Sequence, residues 1–125
     1  MEKRTTSVYS RVDQIRGWEY FYYIEKPPYA ITGKYLFFSY NRNLLIDIAV
    51  AELDSGSFHH AKINLPPPIE EYVLCLYYQD DSRKYELARK YKNRPQLKYR
   101  YWKSDEDTRL GKYSEDFLKN KYKRN

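Results

Sequence analysis

The segment Tyr72-Val73-Leu74-Cys75-Leu76-Tyr77-Tyr78 gives the strongest strand signal in this chain of 125 residues. It carries no charge and consists of aliphatic, β-branched and aromatic side chains, which pack well on a pleated surface. A continuous apolar run of this length is typical of a strand that is buried on both faces. The composition agrees, because sixteen tyrosines against four glycines favour sheet.

Sequence signals on both sides of this segment place four more strands and two helices. We predict strands at residues 18–24, 34–40, 58–63, 72–78 and 97–102, and helices at 44–53 and 82–92. Pro27 and Pro28 end the first strand, because neither can donate a ladder hydrogen bond. The first helix shows apolar residues at helical spacing behind Asn41 or Asn43, either of which can cap it.

The resulting order, β-β-α-β-β-α-β, indicates an α+β fold with a single, mostly antiparallel sheet and both helices packed on one face. Without its first strand, the order is the β-α-β-β-α-β of ferredoxin-like sheets. Connection order alone does not separate that topology from other one-sided α+β sheets. We expect residues 1–16 to form a polar N-terminal arm or short helix, residues 17–118 a single α+β domain, and residues 119–125 a basic C-terminal tail.

The composition excludes several classes of protein. Apolar residues make up 42% of the chain and aromatic residues 18%, enough to form a modest core, so the chain is not disordered. The single cysteine, Cys75, excludes both an internal disulfide framework and a four-cysteine zinc site. No apolar run reaches the roughly 20 residues of a membrane span, and the first residues do not form a secretory signal. We therefore expect a cytoplasmic protein that does not bind membranes.

The distribution of charge favours a polyanionic partner. The net charge is +6, but residues 1–81 hold 8 basic and 11 acidic side chains, whereas residues 82–125 hold 15 and 6. The net charge is therefore −3 in the first part and +9 in the second. Such asymmetry suggests that the C-terminal part faces a polyanion. The alternative is that Lys and Arg keep a tyrosine-rich surface soluble.

Signals for catalysis or metal binding are weak. His59 and His60 are adjacent, so a regular strand would point them to opposite faces, where they could not chelate one metal ion. Cys75 falls in the most apolar strand, where thiols are usually inert. Asp80 and Asp81 precede a predicted helix, and a capping role is favoured over cation binding. We expect neither a metal site nor a cofactor. The sequence identifies no catalytic residues, so these remain unknown. Together these weak signals favour a protein that is not an enzyme.

Two basic clusters near the C-terminus are candidate ligand sites. A strand at 97–102 would place Lys98, Arg100 and Trp102 on one face, where two cations and an indole can hold phosphate and stack a base. The alternative is an edge strand that charge protects from aggregation. Arg109 and Lys112 follow three acidic residues and could contact phosphate, or pair with those acids in a solvated loop.

Several segments together resemble a known family. They are Gly33–Phe38 (GKYLFF), the helix after it, the strand that contains Ala61-Lys62, and above all Lys103–Tyr113 (KSDEDTRLGKY). The resemblance covers about residues 33–114 and is to small archaeal and eukaryotic proteins named for a phosphothreonine lyase domain. These are similar in fold to the mRNA-cap-binding translation initiation factor, which implies a curved antiparallel sheet backed by helices. The family name implies lyase chemistry, with Arg109 and Lys112 holding phosphate and Lys62 or a histidine as the base.

The sequence as a whole favours a non-catalytic protein that binds a phosphate-bearing ligand, either single-stranded RNA or a nucleotide, on a basic aromatic sheet surface. One alternative is an enzyme that acts on phosphorylated side chains, as the resemblance implies. The other is an adaptor that binds a protein partner through an exposed, tyrosine-rich sheet edge.

Overall fold

The structure, a computed structural model, describes residues 8–55, 58–67 and 70–105. The described elements are β1 (Tyr9–Asp13), β2 (Trp18–Tyr22), β3 (Gly33–Ser39), α1 (Arg42–Ser55), β4 (His60–Asn64), β5 (Tyr72–Tyr78), α2 (Lys84–Tyr91) and β6 (Lys98–Ser104). The five predicted strands and two predicted helices are therefore confirmed, with ends that move by a few residues. Arg109, Lys112 and the predicted basic tail lie outside the described residues.

The six described strands form one sheet in the order β1-β2-β4-β5-β3-β6, and every neighbouring pair is antiparallel. β5 lies between β4 and β3, the two strands that α1 connects. β3 in turn lies between β5 and β6, the two strands that α2 connects. This arrangement is two interlocked split β-α-β units, so the pairings establish the topology that connection order left open. The fold is α+β.

β1 is a strand that the sequence analysis did not predict. The expectation of an arm or short helix is wrong for Tyr9–Asp13, which pairs with β2 along its whole length. A tight turn joins the two strands, in which Gly17 has φ 79° and its N–H donates to the Asp13 carbonyl at 2.8 Å. β1 is largely exposed and mostly polar, so its strand conformation comes from pairing with β2 rather than from an apolar pattern.

Both helices cover the same face of the sheet, called the inner face here. Strand alternation sends every second side chain to this face, and the apolar stripe of each helix packs against it. The strands contribute Phe21, Tyr35, Phe37, Ala61, Ile63, Leu74 and Leu76, and the helices Leu45, Ile48, Ala49, Leu53, Leu87 and Tyr91. Of the two caps that the sequence allows, Asn41 is the one that caps α1, because its Oδ1 accepts a hydrogen bond from the Leu44 N–H at 3.2 Å.

A buried carboxylate joins the two helices. Glu52 on α1 is only 1% exposed, and its Oε2 lies 2.7 Å from the Lys90 ammonium on α2. The same oxygen accepts a hydrogen bond from the Tyr91 hydroxyl. Burial raises the pKa of Tyr91 far above its ordinary value, and the bond to Glu52 raises it further. Glu52 thus fixes α2 against α1 although α2 is only eight residues long.

We predict that Glu52→Ala lowers the free energy of unfolding by about 2–3 kcal/mol, because the buried Tyr91 hydroxyl loses its acceptor. Urea denaturation at pH 7 measures the change. Tyr91→Phe should cost less, because Lys90 remains beside the carboxylate, and the double variant should cost less than the two single changes together. Additive costs would show that Glu52 and Tyr91 do not act as a pair.

Gly33 lies where β3 and β6 approach closely. A Cβ built on Gly33 would meet the Trp102 ring at 2.5 Å and the Lys103 carbonyl oxygen at 2.6 Å. The backbone cannot easily move away, because Gly33 pairs with Ser104 in the ladder. Glycine is therefore required here for space.

We predict that Gly33→Ala destabilises the protein by about 1–3 kcal/mol, since one methyl group would overlap ring and backbone atoms. Thermal denaturation followed by circular dichroism measures the change. Gly17→Asn is the matched control, because position 17 is open and asparagine tolerates its positive φ. Equal melting temperatures for the two variants would contradict the assignment.

Candidate functional site

A β-bulge in β6 changes which side chains share a face. Tyr99 pairs with Phe37 and Trp102 pairs with Tyr35, so between these pairs two residues of β6 lie opposite one residue of β3. The extra residue reverses the alternation beyond the bulge. Trp102 therefore packs on the inner face, with its ring centroid 4.8 Å from that of Tyr35.

The expected platform of Lys98, Arg100 and Trp102 is therefore not assembled. Lys98 and Arg100 remain on the face opposite the helices, called the outer face here, while Trp102 lies on the other side of the sheet. Lys98 pairs with Glu71 at 3.3 Å, and the Arg100 guanidinium lies 5.3 Å from the Phe38 ring centroid. A phosphate-binding role for Lys98 and Arg100, as for Arg109 and Lys112, stays a prediction.

The outer face carries interleaved rings and cations. Within the described residues, both helices pack on the inner face. By strand register, the side chains on the outer face include Tyr9 and Arg11 from β1, Trp18, Tyr20 and Tyr22 from β2, His60 and Lys62 from β4, Cys75 and Tyr77 from β5, Lys34, Leu36 and Phe38 from β3, and Lys98 and Arg100 from β6. Many proteins that bind single-stranded nucleic acids combine basic and aromatic side chains on one surface.

Lys62 and Tyr77 form the centre of this surface. The Lys62 ammonium lies 4.1 Å from the Trp18 ring centroid and 6.0 Å from that of Tyr77. The Lys34 ammonium lies 5.5 Å from the same Tyr77 ring. Burial lowers the pKa of Lys62, and nearby Lys34 lowers it further. Two cations therefore converge on one ring, in surroundings that already disfavour the charge on Lys62.

Four of the outer-face cations have no carboxylate beside them in the part of the chain that the structure describes. Within the described residues, Arg11, Lys34, Lys62 and Arg100 have no carboxylate oxygen within ion-pair distance. Asp13 on the same face pairs with Arg16, and Glu71 pairs with Lys98. Burial is the main cause of the raised pKa of Tyr77, and Asp105, just after β6, adds to it. The surface is thus complementary to an anion.

The two histidines meet, contrary to the expectation from strand alternation. β4 begins at His60, so His59 precedes the regular strand, and the two Nδ1 atoms lie 2.9 Å apart. The His60 ring stacks on Tyr77 with centroids 4.3 Å apart and an interplanar angle of 7°. Among residues 8–55, 58–67 and 70–105, no cluster of three or more His, Cys, Asp or Glu side chains could hold a metal ion.

We predict that His60 makes stability depend on pH. Burial, and then His59, Lys26 and Lys62, lower the pKa of His60 to about 4 from its ordinary 6.5. The unfolded chain therefore takes up the proton first. The contribution of neutral His60 to the free energy of unfolding is fully present above about pH 6.5 and is lost as the pH falls toward 4. The expected loss is about 1–2 kcal/mol, less than the full shift implies because the ring is partly exposed.

Urea denaturation between pH 7 and 4 tests this. His60→Phe keeps a ring on Tyr77 but cannot titrate, so its stability should fall less over the same range. Parallel pH profiles for wild type and variant would assign the acid sensitivity to other groups.

Sequence reasoning missed most of this surface, although a signal was present. Trp18, Tyr20 and Tyr22 alternate along β2, as His60 and Lys62 do along β4. Each pattern assigns its residues to one face of its own strand. Only the pairing order shows that the two rows are neighbours on the same side of the sheet.

Comparison of the chain with protein-family models, curated proteins and solved structures found no match. The resemblance to the phosphothreonine lyase domain family therefore stays a prediction. Of its most distinctive segment, residues 103–113, only residues 103–105 are described. No helix within the described ranges is long and apolar enough to cross a membrane.

Proposed function

We propose that this protein binds single-stranded RNA on the outer face of its sheet, without catalysis. The observation that carries the proposal is the position of Lys62 between the rings of Trp18 and Tyr77, with Lys34 over the same Tyr77 ring. Rings on a sheet are the surface on which single-stranded bases stack, and adjacent cations hold the phosphates.

The magnitudes favour exchange of a cation for a base on these rings. A cation–π contact contributes about 0.5–1 kcal/mol when exposed and about 2 kcal/mol when desolvated, and the half-buried contact of Lys62 with Trp18 lies between these limits. Stacking of a base on an aromatic side chain contributes about 1–3 kcal/mol. A base can therefore displace the ammonium, which then binds the adjacent phosphate instead of remaining without a counter-ion. Salt should weaken binding, because each phosphate contact releases condensed counter-ions.

A second candidate is the adaptor role, which the exposed strand β1 favours. Among the described strands, β1 pairs only with β2, and its Tyr9 and Val12 side chains are about half exposed. Another chain could add to this edge through backbone hydrogen bonds. Such a complex would persist in high salt, whereas RNA binding on the outer face would not.

The two tryptophans provide the test. Mixed-sequence single-stranded RNA is titrated into the protein at two salt concentrations while indole fluorescence is followed, with duplex DNA in parallel. We expect RNA to quench wild type and Trp102→Phe, because Trp18 lies on the binding face, and to cause little change in Trp18→Phe. The apparent affinity should fall steeply with salt and should be lower in Lys62→Ala.

Lys84→Ala is the matched cation control. The Lys84 ammonium lies 5.2 Å from the Tyr85 ring centroid, and both residues belong to α2, which packs on the inner face. This variant should leave the affinity unchanged. Quenching that persists in Trp18→Phe and disappears in Trp102→Phe would place the site on the inner side of β6. The absence of binding to RNA would contradict the proposed function.

A further inference from the structure

The outer-facing rings of β2 form a regular row, called the β2 row here, made of Trp18, Tyr20 and Tyr22. Each ring has its own cation, and the three cations come from different parts of the chain. Lys62 of β4 lies 4.1 Å from the Trp18 centroid, Arg11 of β1 lies 5.4 Å from that of Tyr20, and Lys26 lies 5.5 Å from that of Tyr22. Within the described residues, none of the three cations has a carboxylate at ion-pair distance.

The spacing of the β2 row selects the form of nucleic acid that fits it. Side chains two residues apart on an antiparallel strand are separated by about 6.8 Å along the strand. Successive bases of a stacked strand are only about 3.4 Å apart. A duplex or a stacked single strand therefore cannot place successive bases on successive rings. An unstacked strand, extended along β2, can place one base on each ring.

The other aromatic contacts of the outer face do not offer the same access. His60 and Tyr77 stack on each other with nearly parallel planes, so a protein ring already occupies a face of each. Within the β2 row, Tyr22 has a protein ring on one side, since Tyr9 stacks on it with centroids 6.2 Å apart, and its second face remains for a base. Trp18 and Tyr20 stack on no other ring among the described residues and lie only against a cation, which a base can displace more readily than a packed ring.

We infer that the β2 row binds three consecutive nucleotides of an unstacked RNA strand, one base on each ring, with Lys62, Arg11 and Lys26 moving from the rings to the phosphates. This inference rests on the proposed function and extends it to the path, length and conformation of the bound strand. The row distinguishes a single strand from a duplex by spacing alone, without hydrogen bonds to base edges.

A length series of oligouridylates tests the inference. UMP and oligouridylates of two to eight nucleotides are titrated into the Trp102→Phe variant, in which Trp18 is the one remaining indole of the chain. We expect the affinity to rise at least about fivefold with each nucleotide up to three, as each base gains a ring. Beyond three nucleotides it should rise only slowly, and a duplex of the same length should bind more weakly.

Separate variants distinguish the contribution of a ring to binding from that of a cation. Tyr20→Leu keeps apolar bulk but has no ring, so it should weaken binding of the trinucleotide at least about fivefold and leave the salt slope unchanged. Arg11→Ala removes one phosphate contact and should lower the magnitude of the slope of log K against log salt by about 0.7. Tyr85→Ala, on the exposed cation–ring pair of α2, should change neither quantity.

The outcomes separate the inference from the proposed function. An affinity that reaches its maximum with UMP, or equal binding of duplex and single strand, would overturn the three-nucleotide path while RNA binding stands. The path would also be wrong if Tyr20→Leu and Arg11→Ala had no effect on an RNA that still binds. Failure of every oligonucleotide to bind would contradict the proposed function itself.

Discussion

The buried phenol of Tyr35 is the contact on which the rest of the structure depends. Its ring, on the third residue of β3, packs edge-on against Phe58 and Trp102 at centroid distances of 6.0 and 4.8 Å. Its hydroxyl donates to the Asp80 carbonyl at 3.0 Å and accepts from the Arg83 N–H at 2.8 Å. A buried hydroxyl needs such partners, so Tyr35 determines where the chain turns from β5 into α2. Since Tyr35 faces inward, strand alternation sends its two neighbours in β3 outward.

The two faces of the sheet carry similar aromatic residues in different surroundings. On the inner face, aromatic and aliphatic side chains exclude water beneath two helices, and the one buried carboxylate described there, that of Glu52, is satisfied by Lys90 and Tyr91. On the outer face, rings alternate with cations. The difference lies in what covers the rings, which is a helix on the inner face and an ammonium or guanidinium group on the outer face. In the proposed function, a base would take the place of that cation on the same apolar ring surface.

The candidate site was less predictable than the fold because it depends on register. Apolar runs and helical spacing are local, so they predicted the elements and their order. The position of Trp102 depends on one extra residue in β6. After this residue, each side chain of the strand lies on the face opposite to the one that regular alternation predicts. The meeting of His59 and His60 depends on where β4 begins. Neither feature has a signal in local sequence, because both arise from hydrogen bonds to strands that are distant in the chain.

The sequence by itself determined the α+β class, the five apolar strands, the two helices and a helix cap at Asn41 or Asn43, because side-chain period and capping chemistry act within a few residues. Tertiary structure alone decided the strand order, the pairing of the polar strand β1 and the bulge in β6. It also decided the assembly of Trp18, Lys62 and Tyr77 into one surface. These features depend on which strands become neighbours, and strand pairing is selected by the packing of the whole inner face rather than by any single segment.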